Sequence, residues 1–139
     1  MVNIIDMQHM RYINLFRKTC HVSTTNCFVY NNTIVFAIPN PLVSKALGKN
    51  GENIRKLALV LRKKIKVISM PKNNEGIKKF VENVVSPVTF TNLELKDGGI
   101  VISAGRQSKA ALIGRNRLRE KELQDILGRY FGIRKLRIM

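Results

Sequence analysis

The sequence predicts an α+β protein of two tandem units, each a three-stranded mixed sheet packed with three helices. Three observations carry this expectation. The order helix–strand–strand–helix–loop–helix–strand can be followed twice along the hydrophobic pattern. The two copies share a register: Gly48 and Gly114 stand 66 residues apart, and at that offset Ile34-Val35-Phe36 fall on Ile100-Val101-Ile102. Leu47 likewise falls on Ile113, Asn50 on Asn116, Leu57 on Leu123 and Leu61 on Leu127, the mark of an internal repeat. Finally, a loop with glycine at both ends, Gly48-Lys49-Asn50-Gly51, lies between two helices of the first copy. The register fails at single positions, with Ile54 on Glu120, and fades in the first helices.

In the first unit, residues 1–70, Met7 to Lys18 reads as a helix, with Met10, Ile13 and Phe16 on one face and Tyr12 and Leu15 close by. Cys27 to Tyr30 is a short strand, Asn31-Asn32 a two-residue turn, and Thr33 to Ile38 a second, antiparallel strand. Pro39-Asn40-Pro41 stops it. Leu42 to Leu47 is a short helix ending at Gly48, and Ile54, Leu57, Ala58 and Leu61 mark one face of the next. Ile65 to Ser69 follows this crossover and should lie parallel to Thr33 to Ile38.

Residues 71–74, Pro-Lys-Asn-Asn, read as a linker, and 75–139 as the second unit. Ile77, Phe80, Val81 and Val84 mark a helix stopped by Pro87. Val88 to Leu95 and Ile100 to Ser103 read as strands around an Asp97-Gly98 turn. Ser108 to Ile113 is a short helix before Gly114-Arg115-Asn116-Arg117. Leu123, Ile126, Leu127 and Tyr130 face a core from the last helix, and Ile133 to Ile138 closes the unit as a strand.

Charge narrows the partner. The 139 residues carry 25 Lys and Arg against 9 Asp and Glu, a net of +16, with pI near 10.5. Such a balance points to a polyanion, foremost a nucleic acid. An anionic membrane surface is the rival, but the basic residues do not form one terminal tail. Lys45 to Lys66 holds eight Lys and Arg against Glu52, and Arg106 to Arg137 holds ten against Glu120, Glu122 and Asp125, so both clusters surround the loops. A hydrophobic fraction of 45% argues against wholesale disorder. No apolar run approaches a membrane span and no secretory signal is visible, so a soluble, cytoplasmic monomer is expected. Cys20 and Cys27 fit no common zinc spacing and read as two reduced thiols, at a helix end and on a strand, with a disulfide between them as the alternative. No metal, cofactor or catalysis is expected: the chain shows no phosphate-binding P-loop, no carboxylate pair and no triad, and His9 and His21 have no acidic orienter.

The loop gives the chemistry. Glycine at each end admits another backbone closely. The amides opening the next helix favour an anion, and Lys49 adds a mobile positive charge. Few aromatics, six Phe and three Tyr with no Trp, argue against recognition by base stacking on an open sheet, and Tyr12, Phe16, Phe36, Phe80 and Tyr130 all fall on apolar stripes.

Helix–strand–strand–helix–GxxG–helix–strand resembles the type II KH domain. The residues carrying the resemblance are Ala46-Leu47-Gly48-Lys49-Asn50-Gly51-Glu52-Asn53-Ile54 and, in the second unit, Ala111-Leu112-Ile113-Gly114-Arg115-Asn116-Arg117. Two such units in a chain this short and basic look like the archaeal NusA-like transcription factors, over residues 7 to 139. Bacterial relatives add a polymerase-binding domain and an S1 domain, for which 139 residues leave no room. The resemblance implies a non-catalytic factor in transcription termination, antitermination or elongation that binds single-stranded RNA, with RNA polymerase as a further partner. A KH protein of the ribosome or of RNA processing is the alternative.

The resemblance also implies a groove between the helix–loop–helix and the edge strand, holding about four nucleotides with their backbone along the loop. Gly48 and Gly51 would allow close approach, Lys49 would pair with phosphate and Asn50 would bond at the tip. Leu47, Ile54 and Val67 would floor the groove, with Arg55 and Lys56 near phosphate or facing solvent. In the second unit Gly114, Arg115, Asn116 and Arg117 are the candidates, with Arg106 and Lys109 on the preceding helix. Arg117 stands where the pattern has its last glycine, where it either blocks close approach or adds a phosphate contact.

Overall fold

The computed structural model describes residues 7–139, and among them the chain is α+β, with six α-helices and two three-stranded mixed sheets. It divides into two compact units at Lys72–Asn73.

The first unit opens with α1, Met7–Cys20, which continues two residues beyond the predicted Lys18. Strands β1, Cys27–Tyr30, and β2, Thr33–Ile38, form a hairpin around Asn31 and Asn32, whose φ values of 51° and 59° suit a tight two-residue turn. A 3-10 turn at Asn40–Leu42 leads into α2, Val43–Leu47, then the loop, then α3, Glu52–Leu61. Strand β3, Lys64–Ser69, lies parallel to β2 at the sheet edge, in the order β1-β2-β3. Ile34, Phe36 and Ile38 of β2 meet Tyr12, Phe16, Ala46, Leu57 and Leu61 in one core, where the rings of Phe16 and Phe36 stack at 4.2 Å. The opposite face carries Phe28, Tyr30, Val35, Ala37 and Ile68, all buried as well. A strand buried on both faces has no polar alternation, which is why Thr33–Ile38 reads as an unbroken apolar run.

The second unit begins with a 3-10 turn capped by Asn73, whose side chain accepts from the Glu75 N–H at 3.0 Å. Helix α4, Ile77–Val85, buries Ile77, Phe80, Val81 and Val84, the stripe read from the sequence. Strand β4 runs Asn92–Lys96, starting four residues later than predicted and ending one later. The chain from Val88 is taken up in leaving α4: the Val88 N–H bonds the Val85 carbonyl at 3.0 Å, and the ladder is joined only when Thr91 N–H reaches Ser103 O at 2.7 Å. Asp97 and Gly98, at φ 52° and 76°, turn the chain into β5, Gly99–Ser103. Helix α5, Arg106–Ile113, precedes the second loop, α6 spans Leu118–Phe131, and β6, Lys135–Ile138, pairs parallel with β5 at the edge. Tyr130, expected in the core, is only half-buried, as is Phe131 beside it, which meets Phe80 edge-on at 5.0 Å. Here one sheet face is polar, with Glu94, Lys96, Lys135 and Arg137 exposed; β6 alternates accordingly, while β4 is exposed along most of its length.

Cys20 ends α1 and Cys27 opens β1, and both thiols are buried. Burial pushes the Cys20 thiol up to about 11. Among the described residues no helix is long and apolar enough to cross a membrane.

Candidate nucleic-acid interface

In the first loop each residue has its own backbone requirement. Gly48 sits at φ 76°, ψ 177°, a region open essentially to glycine alone. A methyl there would also come within 2.8 Å of the Asn53 amide nitrogen. That amide donates to the Ala46 carbonyl at 3.1 Å and so ties the start of α3 to the end of α2. Asn50 and Gly51 are left-handed, at φ 56° and 71°, and the Gly51 N–H bonds the Gly48 carbonyl at 3.3 Å. The Arg55 guanidinium donates to the Asn50 carbonyl. A Cβ on Gly51 would meet only that guanidinium, at 3.8 Å. The exposed Lys49 and Asn50 therefore form a tip backed by the uncapped start of α3.

Of the residues expected to floor a groove, Leu47 and Ile54 flank the loop in sequence and Val67 lies on β3. Leu47 on α2, Ile54 on α3 and Val67 on the edge strand are each half-buried. Ile54 and Val67 also pack on the core, so each serves the fold with one side and the surface with the other. Ala58, one turn beyond Ile54, continues the same apolar wall. Arg55 and Lys56 are exposed; Lys56 pairs with Glu52 at 3.1 Å, a solvent-facing contact of small energy. Burial lowers the Lys66 ammonium from its ordinary value.

The second loop repeats the turn. Gly114 stands at φ 74°, ψ 173°, Asn116 at 55°, 29° and Arg117 at 60°, 23°, and the Arg117 N–H bonds the Gly114 carbonyl at 3.2 Å. The first glycine is fixed by a conformation other residues avoid. The fourth position is merely left-handed, which an L-residue adopts for about 1–2 kcal/mol. Arg117 therefore preserves the loop and puts a side chain where Gly51 leaves space. Arg106, Lys109, Arg115, Asn116 and Arg117 are all exposed.

The walls differ more than the loops. Glu120 takes the place of Ile54 and pairs with Arg117 at 3.3 Å. Gln124 takes the place of Ala58: its carbonyl accepts the Leu136 N–H of β6 at 2.7 Å, and its amide donates to Ile133 O at 3.4 Å. Arg119 takes the place of Asn53; it covers Gly114, where a Cβ would lie 2.6 Å from its Cγ, and pairs with Glu122 at 2.9 Å. Arg119 and Gln124 were not singled out from the sequence, and Asn53 and Ala58 were read only as part of the loop motif and of the helix's apolar face. The 66-residue register aligns them in pairs, and that was the available signal.

No family model matches the chain. It is 23% identical over 139 residues to the probable transcription termination protein NusA of Methanococcus vannielii, covering 97% of this chain and 79% of that one. It is 23% identical to the protein of the same name from Methanocaldococcus jannaschii, covering 91% and 70%. The crystal structure of APE1850 superposes with a TM-score of 0.66 at 26% identity, covering 97% of this chain and all of the other. The chain is thus similar to archaeal NusA proteins over nearly its whole length.

Proposed function

We propose that the chain is a non-catalytic RNA-binding factor of transcription, acting in termination, antitermination or elongation. In this reading both units are type II KH domains, and the first takes single-stranded RNA in the groove between α2–loop–α3 and β3. The observation that carries the proposal is the first loop with its apolar wall. Gly48 fixes the turn, Gly51 leaves the backbone open, Lys49 and Asn50 stand at the tip, and Leu47, Ile54, Ala58 and Val67 line the adjoining surface. An open turn suits a phosphodiester chain and a half-buried apolar wall suits unstacked bases. The net charge of +16 supports a polyanionic ligand, and the name shared by the two archaeal relatives supports a place in transcription. RNA polymerase is the protein partner this role calls for.

The test is titration of a short, mixed-sequence single-stranded RNA into wild type and into Lys49→Asp combined with Asn50→Asp, both first shown equally folded by circular dichroism. Loss of a charge-assisted phosphate contact and introduction of repulsion are expected to weaken binding by about a hundredfold. Unchanged affinity would contradict the proposal. Co-purification with RNA polymerase, as opposed to ribosomal particles, is the expected cellular counterpart.

A further inference from the structure

We infer that the second unit grips the nucleic-acid backbone without reading bases, because Gln124 already occupies backbone groups a base would use and Glu120 stands where the first unit has its apolar wall. This rests on the reading of the first unit as an RNA groove. An edge strand offers outward N–H and C=O groups, which suit the hydrogen-bonding edge of an unstacked base. In β6 the Leu136 N–H is bonded by Gln124 at 2.7 Å, and the same side chain holds the Ile133 carbonyl. In β3 the matching ladder position is Ile65, which pairs with Ile34 as Leu136 pairs with Ile100. The helix residue that would have to reach it is Ala58, whose methyl forms no hydrogen bond.

Glu120 acts in the same direction. Where Ile54 offers apolar surface, Glu120 places a carboxylate beside the loop, with its side chain only 19% exposed. A carboxylate there repels phosphate from the groove and gives a base no apolar wall. The loop itself remains strongly basic. Arg117 is 73% exposed despite its contact with Glu120, a pair weak enough for the guanidinium to turn to a phosphate. Arg115 is exposed at the tip beside it. The ligand class is therefore the phosphodiester chain of a single strand, whatever its bases.

The experiment is amide-resolved NMR of the full chain titrated separately with tetranucleotides of adenosine, cytidine or uridine. The first unit should shift at Gly51, Ile54 and Val67 in patterns that differ among the three. The second should shift only at Arg115, Asn116 and Arg117, equally for all three, with the Leu136 amide still. Base-dependent shifts at Ile133 or Leu136 would overturn the inference, and so would a second loop that does not respond. A first loop that stays unmoved refutes the proposed function instead, so the two failures are distinguishable. With Lys49→Asp and Asn50→Asp disabling the first loop, the residual affinity should be alike for the three oligonucleotides. Adding Gln124→Ala, which frees the Leu136 N–H, should create a preference of about fivefold, the worth of one hydrogen bond. No preference in that variant would overturn the role given to Gln124.

Discussion

The two loops share a backbone and differ in almost everything around it. Gly48 and Gly114 agree within a few degrees, as do Asn50 and Asn116, and Gly51 and Arg117 are both left-handed. Yet one wall is Ile54 and Ala58, and the other Glu120 and Gln124. The turn therefore depends on the glycine at its first position, whereas the fourth position and the helix behind it are free to vary. What varies there is what a ligand would meet.

The largest effect should come from the first position. Gly48→Ala and Gly114→Ala force a side chain into a glycine-only region and against Asn53 or Arg119, and each is expected to cost about 3 kcal/mol in thermal unfolding. Gly51→Ala, with open space around its Cβ, should cost only about 1 kcal/mol. Equal losses at Gly48 and Gly51 would break the comparison. Gln124→Ala, losing its contacts to Leu136 of β6 and to Ile133 before the strand, should destabilise the protein by about 1–2 kcal/mol in denaturant unfolding. Arg117→Gly should relieve the left-handed strain and stabilise by about 1 kcal/mol, with Gly51→Arg doing the reverse.

The smallest effect is confined to alkaline pH. The Cys20 thiol is raised from 9.0 to about 11 in the folded chain, so the folded state holds its proton more firmly than the unfolded one. That contribution is fully present below pH 9 and is lost as the pH rises through 11. Alkylation at pH 9 followed by peptide mass mapping should leave Cys20 unmodified until the chain is unfolded. Rapid native labelling would contradict its burial.

Most of the fold was legible in the sequence because the repeat made each element visible twice. Thr33–Ile38 and Ile100–Ser103 announced the central strands, and the i, i+3, i+4, i+7 stripe from Ile77 announced α4. The errors lay where local pattern and tertiary need diverge. Val88 and Phe90 have the composition of a strand, but the chain there is still leaving α4. Tyr130 falls on the apolar stripe of α6, yet it and its neighbour Phe131 are both half-buried near the end of that helix. Of the candidate site, the loop residues were visible through their glycines and charges. The contacts of Asn53 and Gln124 were not, because a side-chain bond to a distant carbonyl or strand amide leaves no periodic trace.

The most direct test of the account is a matched pair of loop reversals, Lys49→Asp with Asn50→Asp against Arg115→Asp with Asn116→Asp, titrated with the same single-stranded RNA at several salt concentrations. With about five phosphate contacts the wild type should lose affinity with a log–log salt slope of roughly −3 to −4. The first reversal should remove most of the affinity together with any base preference. The second should weaken binding by about tenfold or less, flatten the slope and leave the preference intact. A larger loss from the second reversal, or a base preference that survives the first, would contradict the assignment of RNA reading to the first unit.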